Sequence, residues 1–441
     1  MLPDGRKMKG SACIVREGDM AERSGSPSGR STAGKPLALT YPHPPARPDQ
    51  PPDFSALKIP PAGLLPVPPL DLRADDAGDF ATGLIRVLDD DGQAVGPWAE
   101  AVPDDAALMR GLRDMMVMRA VDARLLTAQR QGKMSFYIQC TGEEAIGCAF
   151  QRQLVQGDMN FPTYRQQSLL IAADYPLDRL MGQAYANALD PIRGRQLPVL
   201  HSARDHGFFT VSGNLGTQFV QAVGWAMAAA LTGTGGIAAA WIGDGATASN
   251  DFHSGMLTAS VYQPPVVLNV VNNQWAISTY TGMASGAGRT YAARALGYGL
   301  PALRVDGNDY LAVAAVSDWA VRRARAGLGP AFVEWFTYRA AAHSTSDNPA
   351  AYRPKDEAKA WPLGDPIQRL KGHLIARGLW SEDRHRQAEA EVLDEVMQVQ
   401  KRVEAEGTLI NPRPFPPTEL FEGVYAEMPP HLMRQRAQME E

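Results

Sequence analysis

The chain has 441 residues, 45% of them hydrophobic and 21% charged, with a formal net charge of -5. That balance suits a globular enzyme of two or three domains, or one large domain with additions. A net negative chain without a Lys- and Arg-rich stripe argues against binding driven by phosphate neutralisation, so no nucleic-acid partner is expected. The three cysteines, Cys13, Cys140 and Cys148, show no metal spacing and are odd in number. They predict free thiols, the inner two buried, and a reduced cytoplasmic setting. The most apolar long stretch, Phe219 to Leu231, is too short to span a bilayer and contains Gln221, and no secretory signal is evident, so no membrane partner is expected.

Residues 1–35 are polar and rich in Gly, Ser and charge. They are expected to be a disordered extension, with Met20 an alternative start. Residues 36–70 carry the pairs Pro44-Pro45, Pro51-Pro52, Pro60-Pro61 and Pro68-Pro69. Such a stretch suits neither a helix nor a central strand, and predicts an extended arm, placed over 36–102. Pro103-Asp104-Asp105 then opens a helix, with acidic residues at the positive end of its dipole. Met109, Leu112, Met116, Val117, Val121, Leu125 and Leu126 continue it at helical spacing. Gly142-Glu143-Glu144 opens another.

From there the pattern alternates. Helices are expected over 215–231, 249–261 and 310–326, and strands over 236–242, 265–271, 303–305 and 331–337. Strands apolar throughout, alternating with helices, predict an α/β fold whose mainly parallel sheet is covered by helices on both faces. This domain is placed over 103–355. Residues 356–441 read as a helical C-terminal region, with amphipathic helices over 366–377 and 382–406, packed on the same domain or on a partner subunit.

Two strand ends invite a chemical reading. "AAAWIGDGATASNDF" stops its apolar run on Gly243-Asp244-Gly245, and "PVVLNVVNNQWAIST" stops on Asn272-Asn273. In an open parallel sheet, ligands bind beyond the carboxyl ends of the strands. Three readings compete. Gly, Asp and Asn are ordinary turn residues. "GDGATA" also fits a relaxed dinucleotide fingerprint, but Asp244 would repel a pyrophosphate, and no acidic residue follows at the ribose-binding distance. In the third reading Asp244 and Asn273 supply hard oxygens to a magnesium ion that bridges a diphosphate. The glycines then let backbone amides approach the phosphates at the next helix start.

Gly243-Asp244-Gly245 followed by Asn272-Asn273, with Asp244 and Asn273 separated by 273 − 244 = 29 positions, resembles the thiamine diphosphate motif. The resemblance runs over about residues 80 to 435. It is closest to the alpha subunits of branched-chain 2-oxo acid dehydrogenase decarboxylase components. It is carried by "SFYIQCTGEEAIG", "FPTYRQQS", Gly194-Arg195-Gln196-Leu197-Pro198, "TVSGNLGTQ", "NNQWAIST", "LRVDGNDYLAV" and "TYRAAAHSTSDNPAAYRP". It implies a thiamine diphosphate-binding fold and the cofactors thiamine diphosphate and Mg2+, with K+ in some members. The implied magnesium ligands are Asp244, Asn273 and the backbone carbonyl of Trp275. Tyr164 and Arg165 match diphosphate contacts, Gly245 and Ala246 amide donors, and Gly213 and Leu215 the surroundings of the aminopyrimidine. Ser212, Asn214, Thr217 and Gln218 match the potassium site. His343 matches the active-site histidine, which also contacts the cofactor, and Ser344 a position phosphorylated in mitochondrial relatives.

Thr345 stands where pyruvate dehydrogenase alpha subunits usually carry methionine, which favours a branched-chain substrate such as 3-methyl-2-oxobutanoate over pyruvate. Val271 replaces an arginine of mitochondrial relatives, Thr163 a glutamine and Gly213 a serine. The resemblance further implies oxidative decarboxylation with acyl transfer to a lipoyl group of a partner acyltransferase. It also implies a beta subunit that supplies the missing catalytic glutamate in an alpha2-beta2 heterotetramer, in a bacterial cytoplasm. Pyruvate or acetoin dehydrogenase alpha subunits are the alternative. A noncatalytic binding subunit and an NAD-binding protein are more distant ones.

Overall fold

In a computed structural model the described residues are 41–286, 290–413 and 415–440. The expected extension 1–35 lies outside them. Helix α1 (Asp105–Arg130) starts where the acidic pair predicts, with the Asp104 side chain accepting from Ala107 N. After α2 (Glu144–Gln151) comes a three-residue strand, β1 (Met159–Phe161), too short to stand out in the sequence pattern. Then follow α3 (Gln167–Ala172), α4 (Leu177–Tyr185), α5 (Thr217–Thr232), β2 (Ala238–Gly243), α6 (Asn250–Tyr262) and β3 (Val266–Asn272). The series closes with β4 (Ala302–Asp306), α7 (Tyr310–Arg325), β5 (Ala331–Phe336), α8 (Pro366–Ala376), α9 (Glu382–Ala405) and α10 (Pro430–Glu440).

The strands form one parallel sheet in the order β1-β2-β3-β5-β4. Successive side chains on a strand point to opposite faces, and both faces here are covered. Ala239, Trp241, Val267, Val271, Val305, Val333 and Trp335 pack in one cluster with α1, α2 and α7. Ala238, Ala240, Ile242, Val266, Leu268, Val270 and Phe332 pack in the other with Phe219 of α5 and Phe252 of α6. Continuous apolar strands are the signature of such two-sided burial. The polar exception inside β3, Asn269, is satisfied: its Oδ1 accepts from Trp335 Nε1 at 2.9 Å.

Residues from Pro42 onward form one compact unit. Within the stretch read as an extended arm, the backbone bridge Ile85 to Val305 adds a contact at the β4 edge. Phe80, Ile85, Val87, Leu88 and Trp98 are buried in this chain's own core. This stretch also carries a short helix, Gly78–Thr82. Pro68 still serves as its composition suggests, without a helix, and its carbonyl accepts from Trp319 Nε1 at 2.9 Å. No helix among the described residues is long and apolar enough to cross a membrane. Cys140 and Cys148 are free and buried.

Candidate functional site

β2 and β3 lie side by side with Gly243 level with Val271. The residues that follow, Asp244 and Asn272-Asn273, therefore leave the sheet at one edge. A cavity of about 560 Å³ opens there. Asp244, Gly245, Ala246, Asn273 and Trp275 line it, coming from the two strand ends. Tyr164 and Arg165 line it from the loop before α3, Leu215 from the turn before α5, and His343 from the loop after β5. The turn reaches the cavity because α5 begins at Thr217, two residues later than its apolar pattern suggests, after Gly216 at φ 104°. A Cβ on Gly216 would stand 2.1 Å from Ser249 Oγ.

Asp244 is the most informative member. Its Oδ1 accepts from Gly245 N at 2.8 Å, while its buried Oδ2 has no partner. Burial pushes its carboxyl up to about 6. An unsatisfied buried carboxylate oxygen is costly, and such costs concentrate at functional sites. A hard cation is one group that would satisfy it. Glycine at 245 has a steric cause, since a Cβ there would lie 2.4 Å from the Cβ of Ala276. The turn can close on the Trp275-Ala276 backbone only without a side chain.

Asn273 donates from Nδ2 to Glu143 Oε1 at 2.7 Å, and its Oδ1 accepts from Trp275 N at 3.3 Å. The Trp275 carbonyl accepts from Arg339 Nη1 at 2.8 Å and keeps its second lone pair. Arg339 is fully buried and also donates to Ile277 O at 2.9 Å and to the Tyr352 hydroxyl at 2.5 Å. Burial, with Arg165 nearby, lowers its guanidinium to about 10, so it stays charged at neutral pH.

Arg165 is buried and paired with Glu143 at 3.7 Å. It donates to the Gln139 carbonyl and, through Nη2, to the His343 carbonyl at 3.0 Å. Two guanidinium groups face His343 Nδ1, Arg165 at 3.3 Å and Arg339 at 3.5 Å. An atom facing only donors must accept, which assigns the proton to Nε2. Burial, then Arg165 and Arg339, drives the imidazole down to about 3, so it is neutral at pH 7. Tyr164 packs edge-on against the ring at 5.7 Å.

The loop bearing His343 is tied down on both sides. His343 N donates to Asp347 Oδ2 at 2.7 Å, and Tyr352 donates to the same oxygen at 2.6 Å. Thr345 forms a clasp with Tyr137: its N donates to Tyr137 O at 3.0 Å, and its Oγ1 accepts from Tyr137 N at 3.1 Å. Behind this clasp the buried Asp122 of α1 accepts from the Tyr137 hydroxyl at 2.9 Å, Cys140 N at 2.8 Å and Thr141 Oγ1 at 3.0 Å.

Other motif residues stand apart from the cavity. Ser212, Asn214 and Gln218 close one turn before α5: Gln218 Nε2 donates to Ser212 O at 3.0 Å, and Asn214 N to Ser212 Oγ at 3.2 Å. Thr217 donates instead to Asp251 Oδ2 at 3.0 Å. Gly213 does not line the cavity, and a Cβ there would meet nothing within 4 Å. Conversely, Glu143, Gln166, Ile277 and Met283 line the cavity without having been singled out. For Glu143 a signal existed: two adjacent acids stand directly before the nearly apolar run "AIGCAF".

Residues 112–411 match the model of the "Dehydrogenase E1 component" family. Residues 35–75 match that of the "2-oxoisovalerate dehydrogenase E1 alpha subunit N terminal" family, so likeness extends into the Pro-rich stretch, ahead of residue 80. The 2-oxoisovalerate dehydrogenase subunit alpha of Pseudomonas aeruginosa is 54% identical over 405 residues, 92% of this chain and 98% of the relative. The mitochondrial 2-oxoisovalerate dehydrogenase subunit alpha of Mus musculus is 36% identical over 354 residues, 80% of this chain and 78% of the relative. The pyruvate dehydrogenase E1 component subunit alpha of Acholeplasma laidlawii is 35% identical over 348 residues, 79% of this chain and 96% of the relative. With its cavity at the sheet edge and matches of this length, the chain belongs to the dehydrogenase E1 component family, whose members in general depend on thiamine diphosphate.

Proposed function

We propose that this chain is the alpha subunit of a 2-oxoisovalerate dehydrogenase, acting in thiamine diphosphate-dependent oxidative decarboxylation of branched-chain 2-oxo acids. The observation that carries the site reading is the buried, unpartnered Oδ2 of Asp244 beside Asn273 in the cavity at the strand ends. Its donor set suits magnesium: a carboxylate, an amide oxygen and a backbone carbonyl, all hard oxygens. Asp244, Asn273 and the Trp275 carbonyl would hold the ion. Bound thiamine diphosphate would supply the electron sink that loss of carbon dioxide from a 2-oxo acid requires.

The chain's own part is binding, orientation and placement of a proton. Arg165 and the turn Gly245-Ala246 give the diphosphate end its positive surroundings, and Leu215 gives the ring an apolar wall. His343, neutral and protonated on Nε2, offers a hydrogen-bond donor to the carbonyl or carboxylate of the 2-oxo acid. Potassium at the Ser212–Gln218 turn belongs to the same reading, as do a beta subunit completing the site and an acyltransferase whose lipoyl group takes the acyl unit.

The test is lipoyl-domain acylation by the chain assembled with its beta subunit, thiamine diphosphate and magnesium. A higher kcat/KM is expected with 3-methyl-2-oxobutanoate than with pyruvate; preference for pyruvate overturns the substrate assignment. In the same assay His343→Asn is expected to lower kcat about 10²–10³-fold, the range for losing one preorganised hydrogen-bond donor. Cofactor affinity, measured by titration, should change little.

A further inference from the structure

Resting on that reading, we propose that Glu143 is a positioning residue for the cation: it sets which end of the Asn273 amide the metal meets. The two ends of an asparagine amide have nearly the same shape, and the hydrogen-bond network alone decides which faces a given neighbour. With Oδ1 toward a cation the contact is attractive; after a flip, two N–H donors point at a positive charge.

Glu143 decides the matter because its ionised form can only accept, and in the neutral form, which burial favours by raising this acid to about 7, the oxygen facing Asn273 Nδ2 still accepts. Its Oε1 takes Nδ2 of Asn273 at 2.7 Å, which leaves Oδ1 as the accepting end of the amide; Oδ1 takes Trp275 N at 3.3 Å and keeps a second lone pair. The carboxylate is itself fixed. It is buried at the start of α2, its backbone N donates to Cys140 O at 2.9 Å, and Arg165 stands 3.7 Å from Oε1. Its Oε2 has no partner, and the side chain lines the cavity. Arg165 thereby joins the group that would bind the phosphates to the group that orients the metal ligand. Outer partners of metal ligands act in this way, and losing one costs about 10–100-fold in metal affinity.

The experiment is a double-mutant cycle on the chain assembled with its beta subunit. Thiamine diphosphate is held constant, magnesium is titrated, and quenching of tryptophan fluorescence is read, Trp275 being in the cavity wall. Glu143→Gln keeps the shape but brings a donor that can turn the amide over. With Asn273 present it is expected to raise the magnesium needed for half-saturation about 10–100-fold. In the background of Asn273→Asp, whose two oxygens are equivalent, the same change should cost no more than about twofold, the usual error of additivity. Equal losses in both backgrounds, as for a direct ligand or a merely structural residue, overturn the proposal. So does no loss with Asn273. Absence of magnesium-dependent binding in the unaltered protein would instead sink the functional reading beneath it.

Discussion

Asp244→Asn is expected to remove magnesium-dependent thiamine diphosphate binding and, at the same time, to stabilise the cofactor-free protein. On binding, the substitution takes the single negative charge from the expected ligand set. The loss should exceed the roughly 100-fold that outer partners cost, and isothermal titration of the assembled protein measures it. The stability effect has the opposite sign. Burial raises the Asp244 carboxyl from 3.8 to about 6, so the folded state pays for its charge. A raised acid penalises folding fully above its folded pKa, and the penalty fades as pH falls toward the unfolded value. Denaturation of the cofactor-free variant should therefore show a gain of up to about 3 kcal/mol at pH 8. The gain should shrink between pH 6 and pH 4. A variant that is less stable at pH 8 would mean that the carboxylate has a partner in the free protein.

Arg339→Met is expected to cost stability, by about 3–5 kcal/mol, the range for leaving a buried ionic hub without its cation. Methionine fills comparable space but donates nothing. The carbonyls of Trp275 and Ile277 would lose their donors, and Asp347, 3.9 Å away, its nearby cation. Arg339 joins the loop after β3 to the loop bearing His343, so both walls of the cavity should loosen together. Arg339→Lys keeps the charge but cannot fork between two carbonyls, and should recover only part of the loss. Urea denaturation of the three proteins compares them directly. A Met variant within about 1 kcal/mol of the parent would reduce Arg339 to a spectator.

The sheet was legible because burial on both faces leaves a plain signature: strands apolar at most positions on both faces, bounded by helices. β1 escaped because three residues cannot establish a period. The strand-end wall of the cavity was legible for a related reason. Asp244 and Asn273 interrupt apolar runs at the point where a parallel sheet gathers its ligands. The residues that hold them were less so. Glu143 and Arg339 sit 130 and 66 positions from Asn273, (273 − 143) and (339 − 273), and only the fold brings them together. Residues 42–102 show a different limit. Proline density correctly argues against helix and central strand over 42–70, but it is silent on the short helix Gly78–Thr82 and on what Phe80 and Trp98 bury themselves in.

The Thr345–Tyr137 clasp changes what position 345 reports. Thr345 does not line the cavity; half of its link to Tyr137 is side chain and half is backbone. A methionine there keeps the amide half and loses the hydroxyl half. Amide hydrogen exchange should then quicken at residues 137–141 and 343–347 together, as in one cooperative opening unit. The residue type at 345 would in that case govern how often the loop lets go of the Tyr137 segment, a matter of timing rather than of how large an acyl chain fits.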